Sequence, residues 1–407
     1  MAKFEEGLKG LFVPGMLFEE LGFRYFGPID GHDLGSLTHT LKNIINIKGP
    51  RILHVVTKKG KGCSFAEDDP VRFHGVSCFD INTGEAMPKK SLPELKSYTE
   101  IFRDKIVELA HKDSRILAIT AAMPEGTGLN KFRDSFPDRF FDVGIAEQNM
   151  AGIASGLASE NKIPFILSYS VFSPGRNWEI IRTTICYNNV PVKIIGSHSG
   201  LDTGPDGATH QCLEDLALTR VLPNMIVIMP CDYFEAKKAT IKISELDKPC
   251  YLRLQRNPTP IITTSDTPFE IGKANILFNK DDSEVAIIAC GNLVYNALKV
   301  ANDLEKEKIN CTVINNHTIK PLDRETLIHY AKTCKAFVVV EDHQKAGGLG
   351  SAISELISET YPIPIEFIAV NDLFGETGTT IELYKKHHLD TTSIKNAVYK
   401  VLKRKNN

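Results

Sequence analysis

From about Tyr98 the chain alternates short apolar, β-rich runs with amphipathic stretches. The runs "RILAITAA" (115–122), "FFDVG" (140–144), "PFILSYSVF" (164–172), "PVKIIGSH" (191–198), "MIVIMP" (225–230) and "CYLRLQ" (250–255) predict strands. Between them 98–112, 145–160, 176–188, 213–221 and 232–246 predict helices. Near-continuous apolar strands separated by helices are the pattern of a parallel sheet covered on both faces. A polar joint, "RNPTPIITTSDTPFE" (256–270), precedes a second set. Its strands are "EVAIIACG" (284–291), "CTVINN" (311–316), "AFVVVED" (336–342) and "IEFIAV" (365–370), with helices near 294–307, 323–333, 348–360 and 392–403. The expected architecture is α/β, with a parallel-sheet domain over 96–262 and a smaller α/β domain over 270–407.

Residues 1–95 read differently. They hold one strand candidate, "RILHVVT" (51–57), one helix candidate near 33–47, and many turn residues. That is too little to close a core, and the segment reads as the tail of another domain or an arm packed on a second subunit.

Composition adds exclusions. A chain of 407 residues holds two or three full domains. Its formal net charge is −2, so no global field gathers nucleic acid or an acidic membrane. The 9 cysteines form no C-x-x-C pair and several sit in apolar runs, as reduced, buried thiols of a cytoplasmic protein do. The first residues lack a signal-peptide core, and no apolar run is long enough to span a bilayer.

In an open parallel sheet, ligands bind at the carboxyl ends of the strands. Those ends carry "MPEGTG" (123–128), Glu147, "SPGR" (173–176), "SGLDTGPDGATHQ" (199–211) with Asp206 and His210, and Arg256. Singly, each has an ordinary reading. Glu147 is an acid at the positive end of a helix dipole, His210 a loop histidine, Arg176 a surface base, and "TKKGKG" (57–62) a solvated loop. Together they make an anion site with proton-transfer groups. Glu147 stands among apolar neighbours, so it either caps its helix or meets a basic group that this chain does not contain.

The chain resembles the transketolase-like, thiamine-diphosphate-dependent enzymes, and among them the 1-deoxy-D-xylulose-5-phosphate synthases. The blocks "FVPGMLFEELGFRYFGPIDGHDL" (12–34), "LHVVTKKGKG" (53–62), "AEDDPVRFHGV" (66–76) and "AITAAMPEGTGL" (118–129) are synthase-like. The blocks "DVGIAEQNM" (142–150), "GRNWEIIRTTICYNNVPVKIIGSHSG" (175–200) and "DGATHQCLEDLALTRVLPNM" (206–225) are similar to transketolases, especially the C-terminal subunit of split ones. The resemblance makes 96–262 a pyrimidine-binding domain, 270–407 a transketolase C-terminal domain, and 1–95 the end of a diphosphate-binding domain with its linker.

It also implies roles. Glu147 matches the glutamate that hydrogen-bonds N1′ of the aminopyrimidine, and Phe172 the aromatic that stacks on that ring. Ile145 falls beside them on the cofactor. His210 and Asp206 match groups that contact substrate hydroxyls and carbonyl, and Arg176 and Arg256 match arginines that hold the sugar phosphate. His74 and Lys59 match residues near cofactor and donor. The synthases place two residues between that Phe and Arg; here there are three, "SPG" (173–175), which sets Arg176 out of register.

The family holds its diphosphate through Mg²⁺, with a "GDG" motif and a later Asn as oxygen ligands. The sequence has no GDG, so no metal ligand is assigned and the chain is expected to carry half a cofactor site. Three readings remain. It is the pyrimidine-binding subunit of a split enzyme, a truncated form of a longer synthase, or a non-catalytic binding module. The reaction implied is two-carbon transfer to an aldose phosphate. The donor is pyruvate, with decarboxylation, for the synthase of isoprenoid biosynthesis, or a ketose phosphate for a transketolase. The assembly implied is a homodimer, or a heterotetramer with a diphosphate-binding subunit.

Overall fold

The computed structural model describes residues 15–76, 78–87 and 96–406, so the first residues of the block at 12–34 fall outside it. The chain divides into two compact units, Met1–Ser91 and Leu92–Asn407.

The first unit is built on a parallel pair, β1 (Arg24–Asp30) and β2 (Arg51–Val56). The helix Leu34–Ile44 joins them, and the Asp33 side chain caps it by accepting the Ser36 N–H. Only β2 is announced by the hydrophobic pattern. β1, "RYFGPID", carries Gly27 and Pro28 and lacks apolar alternation, and this corrects the expectation of a single strand. Among the described residues of the unit, only Ile44, Ala66 and Gly84 are buried, while Leu17, Leu34 and Ile45 are exposed. So small a buried set does not make a core.

The second unit contains two sheets. In the first, β3 (Ile116–Thr120), β4 (Phe140–Asp142), β5 (Ile163–Tyr169), β6 (Lys193–Ser197), β7 (Ile226–Ile228) and β8 (Cys250–Arg253) run parallel in the order β7-β8-β6-β5-β3-β4. Alternation along the strands splits the core. Ile116, Ala118, Phe165 and Leu252 pack with the helices Tyr98–Lys112 and Tyr233–Glu245. Ile119, Ile166 and Ile194 pack with Met150, Ala151 and Ala154 of the helix Glu147–Ser159. The helix Tyr98–Lys112 starts in a capping box between Ser97 and Glu100. The single helix expected over 176–188 is instead one α turn, Trp178–Ile180, continued by a wider π-type stretch, Ile181–Cys186.

The second sheet has β9 (Asn275–Phe278), β10 (Val285–Ala289), β11 (Cys311–Asn315), β13 (Phe337–Gln344) and β14 (Ile365–Val370) in the order β14-β13-β10-β11-β9, with β9 antiparallel. The missing number, β12 (Thr318–Lys320), leaves this sheet and pairs antiparallel with β7 of the first. The cores merge as well. Ile288, Val339 and Phe337 of the second sheet lie in one apolar cluster with Met229 and Tyr251 of the first. The two α/β sets, which read as separate in sequence, share one interior.

A buried polar cluster lies at this junction. The guanidinium of Arg253, at the end of β8, donates to Asp215 Oδ2 at 2.7 Å and to the Cys212 carbonyl at 3.1 Å. Tyr251 O–H donates to the same Asp215 oxygen at 2.6 Å, and both ionic side chains are 0% exposed.

Candidate functional site

The carboxyl ends of β4, β5, β6 and β8 carry the candidate residues, as parallel-sheet topology requires. Glu147 opens the helix Glu147–Ser159 and is 5% exposed. Its side chain does not cap that helix. Its Oε1 accepts from Arg176 Nη1 at 2.7 Å. In this structure a basic group of the chain itself meets that carboxylate, 29 residues away in sequence and following β5, which β3 separates from β4. Arg176 is half exposed, so the pair contributes only about 0.5–1 kcal/mol.

The rest of the group is aromatic. The Arg176 guanidinium lies over the Phe172 ring, 4.2 Å from its centroid. Phe172 meets His210 edge-on, at 5.4 Å between centroids, and stacks beside Tyr169 at 6.2 Å. Tyr169 in turn stacks on His198 at 3.9 Å. Burial, reinforced by Arg256, pushes the His198 imidazole down to about 4, so it is neutral at ordinary pH. Tyr169 is pushed up by burial and by Asp206. Both stand at strand ends, where the sequence could have singled them out, but neither was.

The extra residue between Phe172 and Arg176 is absorbed in a tight turn. Ser173 N–H donates to the Tyr169 carbonyl at 2.9 Å, and Arg176 N–H to the Phe172 carbonyl at 2.9 Å. Gly175 makes the turn possible: a Cβ there would lie 2.0 Å from the Val171 carbonyl oxygen. Gly175→Ala is expected to cost about 1–3 kcal/mol, measured by urea unfolding, because the turn must open.

Asp206 and Arg256 form an ion pair at 3.1 Å, and Arg256 Nη1 also donates to the Thr203 carbonyl at 2.6 Å. The loop that carries Asp206 and His210 is anchored from beneath. Fully buried Asp202 accepts the backbone N–H of Arg256 at 3.0 Å and of Asn257 at 2.9 Å through Oδ2. Asp342, on β13, accepts the Leu201 N–H at 3.0 Å and the Tyr384 O–H at 2.9 Å. The second sheet thus fixes the loop that the first sheet presents.

Ile145 precedes the Glu147 helix and is 79% exposed. Lys59 and His74 belong to the first unit, where Lys59 Nζ hydrogen-bonds His74 Nδ1. Among the described residues no cluster of three or more His, Cys, Asp or Glu side chains is placed to hold a metal ion. What the chain does offer is a buried carboxylate and a half-buried ring that both meet Arg176, an acceptor and a stacking face that fit a flat, protonatable heteroaromatic base.

Three family models match the chain. They are described as "Transketolase, pyrimidine binding domain" over residues 95–261, "Transketolase, C-terminal domain" over 272–394, and "1-deoxy-D-xylulose-5-phosphate synthase" over 1–57. A 1-deoxy-D-xylulose-5-phosphate synthase of Syntrophus aciditrophicus is 41% identical over 97% of this chain and 61% of its own length. One of Halothermothrix orenii is 40% identical over 98% of this chain and 62% of its own length. The chain thus spans about three-fifths of these relatives. A solved structure described as "Split gene transketolase, inactive beta4 tetramer" is 40% identical, with a TM-score of 0.71, and is matched over 99% of its length by 76% of this chain. A transketolase of Campylobacter jejuni, 19% identical with a TM-score of 0.63, covers 96% of this chain and 70% of its own, and shares the fold. The chain belongs to the transketolase-like, thiamine-diphosphate-dependent family in which the 1-deoxy-D-xylulose-5-phosphate synthases stand.

Proposed function

We propose that the chain is the pyrimidine-binding half of a 1-deoxy-D-xylulose-5-phosphate synthase-like enzyme. It acts with a diphosphate-binding chain on pyruvate and glyceraldehyde 3-phosphate. The observation that carries this reading is the buried Glu147 carboxylate beside the half-buried Phe172 ring, with His210 on the ring's edge. Thiamine diphosphate, when bound, supplies the carbanion chemistry that moves a two-carbon unit.

In this reading the chain's own residues bind and manage protons. Glu147 holds the cofactor's N1′ proton from a largely water-free position, and Phe172 packs against the pyrimidine with Ile145 at its border. His210 moves a proton at the acceptor carbonyl oxygen, with Asp206 beside it. Arg256 and Arg176 hold the phosphate as planar forks. Lys59 and His74 serve the donor end. Mg²⁺ and the diphosphate are held by the other chain, in a heterotetramer with this one, and the assembly is cytoplasmic.

The choice of donor rests on the synthase-type match at residues 1–57. The 40% identity to a split transketolase favours a second reading, in which a ketose phosphate is the donor. The reconstituted pair is expected to form product and release CO₂ from pyruvate plus glyceraldehyde 3-phosphate. It should be at least tenfold slower with xylulose 5-phosphate plus ribose 5-phosphate. The reverse preference, followed by product assay, establishes the transketolase reading instead.

A further inference from the structure

We propose that Arg176 is a built-in stand-in for the cofactor's pyrimidine, a self-ligand that closes the half-site and must leave before the cofactor enters. This rests on the reading of Glu147 and Phe172 given above. A guanidinium is flat, cationic and edged with N–H donors. The central carbon of the Arg176 guanidinium lies over the Phe172 ring, 4.2 Å from its centroid, and one of its N–H groups meets Glu147 Oε1 at 2.7 Å. A protonated aminopyrimidine has those same features: a flat face to stack, and an N–H aimed at a carboxylate. Arg176 therefore takes the ring and the oxygen the pyrimidine needs.

Its departure is cheap. The side chain is 50% exposed and its guanidinium has no other hydrogen-bond partner among the described residues. It can swing out with the turn at Gly175 unchanged. Once released, it keeps its charge on the loop beside His210, free for a phosphate. One side chain thus orders the two events. Cofactor loading frees the arginine that recognises the second substrate, and sugar phosphate is not gripped by a site that holds no cofactor.

The chain's single tryptophan, Trp178, lies two residues from Arg176 and reports on it. The test titrates the full chain with 4-amino-5-hydroxymethyl-2-methylpyrimidine and follows Trp178 fluorescence. Arg176→Ala is expected to bind this probe about tenfold more tightly than the unmodified chain, since an ion pair and a cation–π contact no longer compete. Arg176→Lys is expected to bind between the two, because an ammonium can still pair with Glu147 but has no plane to match that of the pyrimidine. The added change Glu147→Ala should abolish binding in both.

Equal affinities for the unmodified chain and Arg176→Ala, both lost with Glu147→Ala, would overturn the stand-in and keep the proposed function. Unmodified affinity in Arg176→Lys would reduce Arg176 to a simple charge and overturn it too. No binding by Arg176→Ala, or binding that survives Glu147→Ala, would overturn both readings.

Discussion

Arg253→Met is expected to destabilise the 92–407 unit by about 3–5 kcal/mol, because it strands a carboxylate in the interior. Asp215 and Arg253 are both 0% exposed. The substitution removes the Asp215 counter-ion and leaves the Cys212 carbonyl without that donor. Tyr251 O–H remains on Asp215, but a neutral donor does not offset a buried charge. The melting temperature should fall by about 5–8 °C, read by calorimetry. Arg253→Met combined with Asp215→Asn should recover part of the loss, since no charge is then stranded.

The same pair predicts a pH signature. Burial alone would raise the Asp215 carboxyl, but Arg253 beside it outweighs that and holds it below the usual value of 3.8. A depressed carboxylate contributes stability that is complete above the unfolded value and is lost as pH falls through the folded one. In Arg253→Met nothing of that size opposes burial, which raises the same carboxyl, so the gap between the natural chain and the variant should be widest at high pH and start to narrow above the usual carboxylate value of 3.8, as the variant's Asp215 takes up its proton. A gap that stayed constant down to that value would assign the effect to another group.

Glu147→Ala carries the largest expected effect on activity. In the enzyme reconstituted with a diphosphate-binding chain, the carboligation rate should fall by about 10²–10⁴-fold, the range for loss of a positioned proton-transfer group. The fold should hardly notice. Among the described residues the Glu147 side chain has one partner, half-exposed Arg176, and Asn177 bonds its backbone carbonyl at 3.1 Å, which alanine keeps. Unfolding in urea should shift by under about 1 kcal/mol. Full activity of Glu147→Ala would refute its catalytic role.

Most strands of the second unit were legible because buried parallel strands must be apolar along their whole length. "PFILSY" and "AFVVV" had no polar alternative to a sheet interior. β1 was not legible, since Gly27 and Pro28 break its pattern, and neither was β12, three residues whose partner lies far away in sequence. The site followed the same division. Strand ends pointed to Glu147, Asp206, His210 and Arg256 because topology places them there. The contact between Glu147 and Arg176 could not be read, because it joins the segments after β4 and β5, two strands that lie on opposite sides of β3. Tyr169 and His198 were available to the strand-end rule but were hidden in apolar or small-residue surroundings.

The exchange of β12 between sheets has a consequence for how the chain is made. A ribosome delivers β7 some ninety residues before Thr318–Lys320 emerges. Through that interval the β7 edge has no backbone partner on its outer side, and an open edge invites pairing with neighbouring nascent chains. The last strand of the first sheet arrives just behind the second sheet's own β11, so the first sheet is closed only while the second is being built, with β13 and β14 still to come.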